Sequence, residues 1–196
     1  FSVLISIWFW KRQPETLHKE YRVRFTKYVF VNGLKEIYKS KETIGFTVIS
    51  GFITGSFMVY LSTSQHVFQE QYNLQNEFPY IFAGLAIAIG TSTYLNGTLV
   101  LKFGMEKLVT IALFTFFSVS FLFVLLFNHT GNPDILIVLT FFFLQFFSIG
   151  FLFGNLRALA MQPIGHIAGI GAAITGFIST MMAVPISTFI GKYTTT

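Results

Sequence analysis

The chain has 196 residues, of which 53% are hydrophobic, 18% aromatic and only 11% charged. A soluble domain carries about a quarter of its residues as charges, so this composition excludes an ordinary water-facing surface and makes the bilayer the expected solvent. Zero cysteines remove disulfide scaffolds, thiolate metal sites and cysteine nucleophiles, and a net charge of +5 gathered mainly in one stretch does not make a nucleic-acid interface.

The chain opens in an apolar run, residues 1–10, with no basic segment before it and no small-residue cleavage site after it. It is expected to be the end of a spanning helix in a longer protein rather than a signal peptide. Residues 11–43 follow as a long hydrophilic connection holding nine Lys and Arg with spaced aromatics (Tyr21, Phe25, Tyr28, Tyr38). Either a solvated linker or a helix lying on inner headgroups would read this way.

A hydrocarbon core about 30 Å thick takes about 20 apolar residues of helix. Uncharged runs of that length occur at 44–61, 78–101, 108–127, 135–156 and 167–191, leaving 192–196 as a truncated end. Phe141-Phe142-Phe143 and residues 122–127 are apolar on consecutive positions, unlike the alternation of a transmembrane strand. The fold class expected is therefore all-α, a polytopic helical membrane bundle. Counting Lys and Arg on alternate sides places twelve on one side (residues 11–43, the turn at 102–107, Arg157) and Lys192 alone on the other. The first side is expected to be cytoplasmic and the loops 62–77 and 128–134 outward.

No ionisable side chain falls inside these five runs, and Arg157 and His166 read as loop positions flanking a turn at Pro163. The spans also lack a His-x-x-x-His pair and paired carboxylates, so neither an enzyme nor a metal site is expected and no cofactor is implied. Small residues four apart recur at Gly51/Gly55, Gly150/Gly154 and Gly165/Gly169, and the last span continues as Gly169, Ala173, Gly176, Thr180, Ala183 and Ser187, with Pro185 a candidate kink. Gly165, Gly169, Ala173 and Gly176 are thus candidates for helix packing or for a gating helix. Polar uncharged residues align as Gln145, Ser148 and Asn155 on one helix, and as Phe52, Ser56 and Tyr60 at successive turns of another. They would either line a cavity for a lipophilic ligand or hydrogen-bond helix to helix.

Four stretches carry a resemblance to a known family. Trp8-Phe9-Trp10 leads into Pro14-Glu15-Thr16-Leu17; Tyr60-Leu61-Ser62 precedes Val67-Phe68 and Tyr72; Leu95-Asn96-Gly97 runs through Lys102-Phe103-Gly104 to Lys107; and Leu152-Phe153-Gly154-Asn155-Leu156 is followed by Ala158-Leu159-Ala160-Met161-Gln162-Pro163 and Gly165-His166-Ile167-Ala168-Gly169. Together they resemble the C-terminal half of a major facilitator superfamily transporter, from the end of helix 6 through helix 11, and specifically the bicyclomycin-resistance (Bcr/CflA) group of drug:proton antiporters. Thr98 stands where that group usually has Arg, and Gln162 where it commonly has Glu.

The resemblance implies alternating access in a bacterial inner membrane, with lipophilic small-molecule drugs, protons and membrane lipids as partners and a monomer as the working state. It makes Asn96, Gly97, Lys102, Gly104 and Lys107 a cytoplasmic loop motif and puts the proton-coupling acid in the other half, so this segment alone is expected neither to transport nor to couple. An uptake symporter for a small metabolite on the same fold, or a non-transporting membrane scaffold, are the alternatives.

Overall fold

A computed structural model describes residues 2–14, 26–128 and 131–194. Expectations that fall on 15–25 (Tyr21, Phe25, the Glu15-Thr16-Leu17 match) and on residues 129–130 of the loop 128–134 lie outside the described residues. Contacts divide the chain into two compact units, Phe1–Asn32 and Gly33–Thr196.

The first unit holds α1 (Ser2–Arg12), an exposed helix with Lys11 and Arg12 in its last turn. The second begins inside α2 (Lys27–Lys39) and contains α3 (Lys41–Gln65), α4 (Phe78–Phe103), α5 (Met105–Phe127), α6 (Ile135–Met161) and α7 (Ala168–Thr194). No strand occurs among the described residues. Four helical stretches are long and apolar enough to cross a membrane, Lys41–Gln71, Phe78–Phe103, Met105–Phe127 and Ile135–Tyr193, the last containing both α6 and α7.

Local chemistry sets the helix ends. Ser40 caps α3 by accepting from the Thr43 amide at 3.2 Å, and Asp134 caps α6 by accepting from the Leu136 amide at 2.8 Å. Gly104 alone separates α4 from α5 at φ +80, a left-handed conformation that favours glycine. Lys102 and Lys107 lie over the Phe103 ring at 5.3 and 5.5 Å, so the turn is held by cation–π contacts as well as by its glycine.

Two helices outrun their apolar runs by more than a turn. α3 continues to Gln65 and then as a π-helical turn, His66–Gln71, where His66 Nδ1 meets Glu70 Oε2 at 2.8 Å and Phe68 is fully buried against Phe78 and Phe142. The connection expected over 62–77 is therefore mostly helix. α6 likewise passes residue 156 and reaches Met161, because a polar side chain that clears the hydrocarbon does not end a helix. Arg157 is thus a helical residue one turn before the end of α6, not a loop position, and only His166 sits in the 3-10 turn Gln162–Ile167.

α6 is the hub, packing against α3, α4 and α5, while α7 lies along α3. Small residues permit the closest approaches. A Cβ on Gly51 would come within 2.9 Å of the Met182 sulfur, one on Gly55 within 3.2 Å of Ile186, and one on Gly150 within 2.7 Å of the Ile89 carbonyl oxygen on α4. The bundle's middle is filled by Ile53 of α3 and Ile149, Leu152 and Leu156 of α6, with Val109 and Ala112 from α5. At one end, Ile37 of α2 packs with Ile164 and Ile174, and His166 Nε2 pairs with the Glu36 carboxylate. That clamp docks the second half of α2 onto the α6–α7 corner.

Exposed Phe114, Phe117, Phe121 and Leu125 form a stripe at spacings of three and four along α5. Such a stripe suits contact with acyl chains.

Candidate functional site

The aromatic density of the sequence condenses around Tyr60. Its ring meets Phe146 edge-on at 4.6 Å and Phe142 at 5.5 Å, and it stacks with Phe82 at 6.1 Å and Phe57 at 6.5 Å. These residues come from α3, α4 and α6; α6 packs against both of the others, and against α4 through Gly150. Beside this cluster opens a cavity of about 300 Å³ with walls that include Phe57, Tyr60, Phe142, Phe146, Ser120 and Gln145. Ser56, Thr63 and Ile190 are also among its lining residues, and among the described residues no acidic or basic one contributes.

The site's hydrogen bonding is nearly closed. Gln145 Nε2 donates to Ser120 Oγ at 2.9 Å, and Ser120 in turn donates to the Phe116 carbonyl at 2.8 Å. Ser56 donates to the Phe52 carbonyl at 3.0 Å and Thr63 to the Val59 carbonyl at 2.8 Å. The exception is the Tyr60 hydroxyl. With the residue only 6% exposed, its oxygen is buried among the neighbouring rings and has no hydrogen-bond partner among the described residues. A buried donor left unpaired carries a cost of about 1–3 kcal/mol, and such a group beside a cavity marks a place where a ligand's acceptor would be welcome.

Of the six residues expected to bind substrate, Ser56, Tyr60 and Gln145 meet at this cavity and three do not. Phe52 is 55% exposed and turned elsewhere. Ser148 is buried and bonds the Leu144 carbonyl of its own helix at 2.9 Å. Asn155 is engaged by Asn96 of α4, each amide donating to the other's oxygen at 2.6 and 3.3 Å, and also by the Phe151 carbonyl at 3.0 Å. The stripe through Gln145, Ser148 and Asn155 therefore has two uses, a cavity wall at one end and an interhelical amide lock at the other. Asn96 belongs to that lock, while Gly97 is exposed on α4.

Gly165, Gly169, Ala173 and Gly176 are all exposed, and no atom comes within 4 Å of a Cβ placed on the three glycines. α7 packs on α3 through its other face, with Met182 and Ile186 against Gly51 and Gly55. Cavity residues missed by sequence reasoning include Phe57, Ser120, Phe142 and Phe146. Phe142 and Phe146 flank Gln145 at helical spacing, a signal that was present, whereas nothing in the α5 sequence singles out Ser120.

The family model described as Major Facilitator Superfamily matches residues 1–189. The chain belongs to the major facilitator superfamily. A curated relative in this superfamily, the uncharacterised MFS-type transporter YdgK of Bacillus subtilis (strain 168), is 25% identical over 191 residues, covering 94% of this chain and 46% of its own length. The chain thus spans about half the length of the curated relative it matches. No solved structure matches it. Superfamily membership, together with the helices long and apolar enough to span, points to a multi-pass membrane protein of a transporter family.

Proposed function

We propose that this chain is the C-terminal half-bundle of a drug:proton antiporter of the Bcr/CflA kind, and that the cavity at Tyr60 receives lipophilic molecules on their way out of a bacterial cell. The observation that carries the reading is an aromatic-walled cavity that, among the described residues, has no carboxylate, only uncharged hydrogen-bonding groups and a tyrosine hydroxyl without a partner. Aromatic walls supply unspecific apolar contact, and a few uncharged dipoles orient many different acceptors without demanding a charge.

Two further features support it. The pattern over residues 152–169 resembles that group's in both its Phe-Gly-Asn and its Gly-His-x-Ala-Gly parts. Basic residues gather at one end of the bundle, with Lys41 opening α3, Lys102 and Lys107 around the α4–α5 turn and Arg157 closing α6, as cytoplasmic ends do. On this reading the protein lies in the inner membrane, alternates access as a monomer, and takes its proton-binding acid from the other half. Gly165, Gly169, Ala173 and Gly176 would form the small-residue face against which that half slides.

Transport into everted vesicles from cells making the full-length protein tests the proposal, with the neutral dye N-phenyl-1-naphthylamine as probe. Uptake that needs an acid interior and changes on Tyr60→Ala or Gln145→Ala, with the protein still folded, is the expected result. Uptake indifferent to the pH gradient would overturn the antiport assignment, and uptake indifferent to both substitutions would overturn the cavity assignment.

A further inference from the structure

A second cavity, of about 310 Å³, lies between α3, α6 and α7 at the opposite end of the bundle. Its lining differs in kind. Six of the side chains there are polar, Thr47, Ser50, Thr175, Ser179, Thr180 and Arg157. Arg157, one turn before the end of α6, follows a 22-residue apolar run, roughly 33 Å of helix at 1.5 Å per residue, so it stands at the mouth while the hydroxyls of α3 and α7 lie up to about three turns inside. No carboxylate lines this cavity, and no acceptor meets the Arg157 guanidinium among the described residues.

The hydroxyls are not equivalent. Thr47 donates to the Thr43 carbonyl at 2.6 Å, Thr175 to Gly171 at 2.8 Å, Thr180 to Gly176 at 2.9 Å and Ser179 to the Thr47 carbonyl at 3.2 Å. Their protons are committed to backbone oxygens, so what they turn toward the cavity is acceptor lone pairs. Ser50, buried and without a hydrogen bond among the described residues, can offer either. The cavity therefore has strong donors at its mouth and acceptors within.

We propose that this cavity binds an oxyanion carried beside hydroxyl groups, the anion on Arg157 and the ligand's O–H groups on the serine and threonine oxygens. A guanidinium rather than an ammonium suits a planar carboxylate or a phosphate, because its fork can make two parallel bonds. A volume near 300 Å³ fits a small polyhydroxy acid, or the phosphoglycerol headgroup of a lipid entering from the leaflet. The site is separate from the Tyr60 cavity and stands whether or not that cavity carries drugs.

Calorimetric titration of the protein in phosphatidylcholine nanodiscs tests it, using gluconate as the soluble oxyanion, glucose as its uncharged analogue and choline as a cation. A lipid arm uses native mass spectrometry of protein exposed to phosphatidylglycerol. Saturable binding of gluconate over glucose and choline, weakened about tenfold by Arg157→Gln and less by Arg157→Lys, assigns the site to a soluble acid. Retention of phosphatidylglycerol that is lost in Arg157→Gln, without gluconate binding, assigns it to the headgroup. Either result supports the site, and Ser50→Ala should lower the same affinity severalfold while far-ultraviolet circular dichroism confirms unchanged helicity. Choline binding as tight as gluconate, equal binding by Arg157→Gln, or no binding of either oxyanion would overturn it.

Discussion

Replacing Tyr60 by Phe should stabilise the ligand-free protein. The substitution keeps the ring and hence its edge-on contact with Phe146 at 4.6 Å and with Phe142 at 5.5 Å, and it removes only a hydroxyl that has no partner among the described residues. An unsatisfied buried donor costs about 1–3 kcal/mol, and deleting it with little change in shape recovers the lower part of that range, about 1 kcal/mol. For a chain of this size such a gain corresponds to an upward shift of roughly 2–4 °C in the unfolding midpoint. Circular dichroism melts in matched detergent would show it. Ligands that use the hydroxyl should bind Tyr60→Phe about fivefold more weakly, so stability and binding move in opposite directions. A Phe variant destabilised by about 1 kcal/mol or more would refute the reasoning, since it would mean that the hydroxyl is hydrogen-bonded.

The glycine pattern makes a paired prediction. Gly150→Ala, whose Cβ would stand 2.7 Å from the Ile89 carbonyl, should cost about 1–3 kcal/mol of thermal stability, whereas Gly154→Ala, with open space around it, should be neutral or gain up to about 1 kcal/mol. In the amide lock, a double-mutant cycle on Asn96→Ala and Asn155→Ala should give a coupling of roughly 0.6 kcal/mol, and a value near zero would show that the pair does not hold α4 to α6. Tyr72, beyond the end of the span, donates to the Pro133 carbonyl at 2.8 Å and has its pKa raised from the ordinary 10.0 by burial and by the neighbouring Asp134 charge. Because the folded state holds this proton more tightly, its contribution is complete below pH 10 and is lost as pH rises through the raised value. Alkaline melts of Tyr72→Phe should therefore lose less stability above pH 10 than those of the parent, and parallel curves would count against it.

The five long apolar helices were legible because uncharged runs of about 20 residues have few other uses. Their ends were not. Hydropathy reports where hydrocarbon stops, while a helix stops where its hydrogen bonding or a cap does, which is why α3 runs on through His66 and Glu70 and α6 on through Arg157. Gly51 and Gly55 were readable as a contact face, but the same spacing at Gly165 and Gly169 marks a face with no neighbour among the described residues. Spacing identifies a smooth surface and says nothing of its partner. The cavity at Tyr60 was half legible for a similar reason. Period places Ser56 with Tyr60 on one helix, but that Gln145 reaches Ser120, and that Asn155 is taken by Asn96, depends on which helices lie side by side.

The packed middle of the bundle separates its two cavities. Along α3, Ile53 falls between Ser50 on one side and Ser56 on the other; along α6, Leu152 and Leu156 fall between Gln145 and Arg157, both wholly excluded from solvent. A hydrated solute entering at Arg157 meets hydrocarbon rather than a wire of dipoles, so this half contains a septum and not a pore. Within this half-bundle the septum keeps an aqueous solute in one cavity from reaching the other through the helix core.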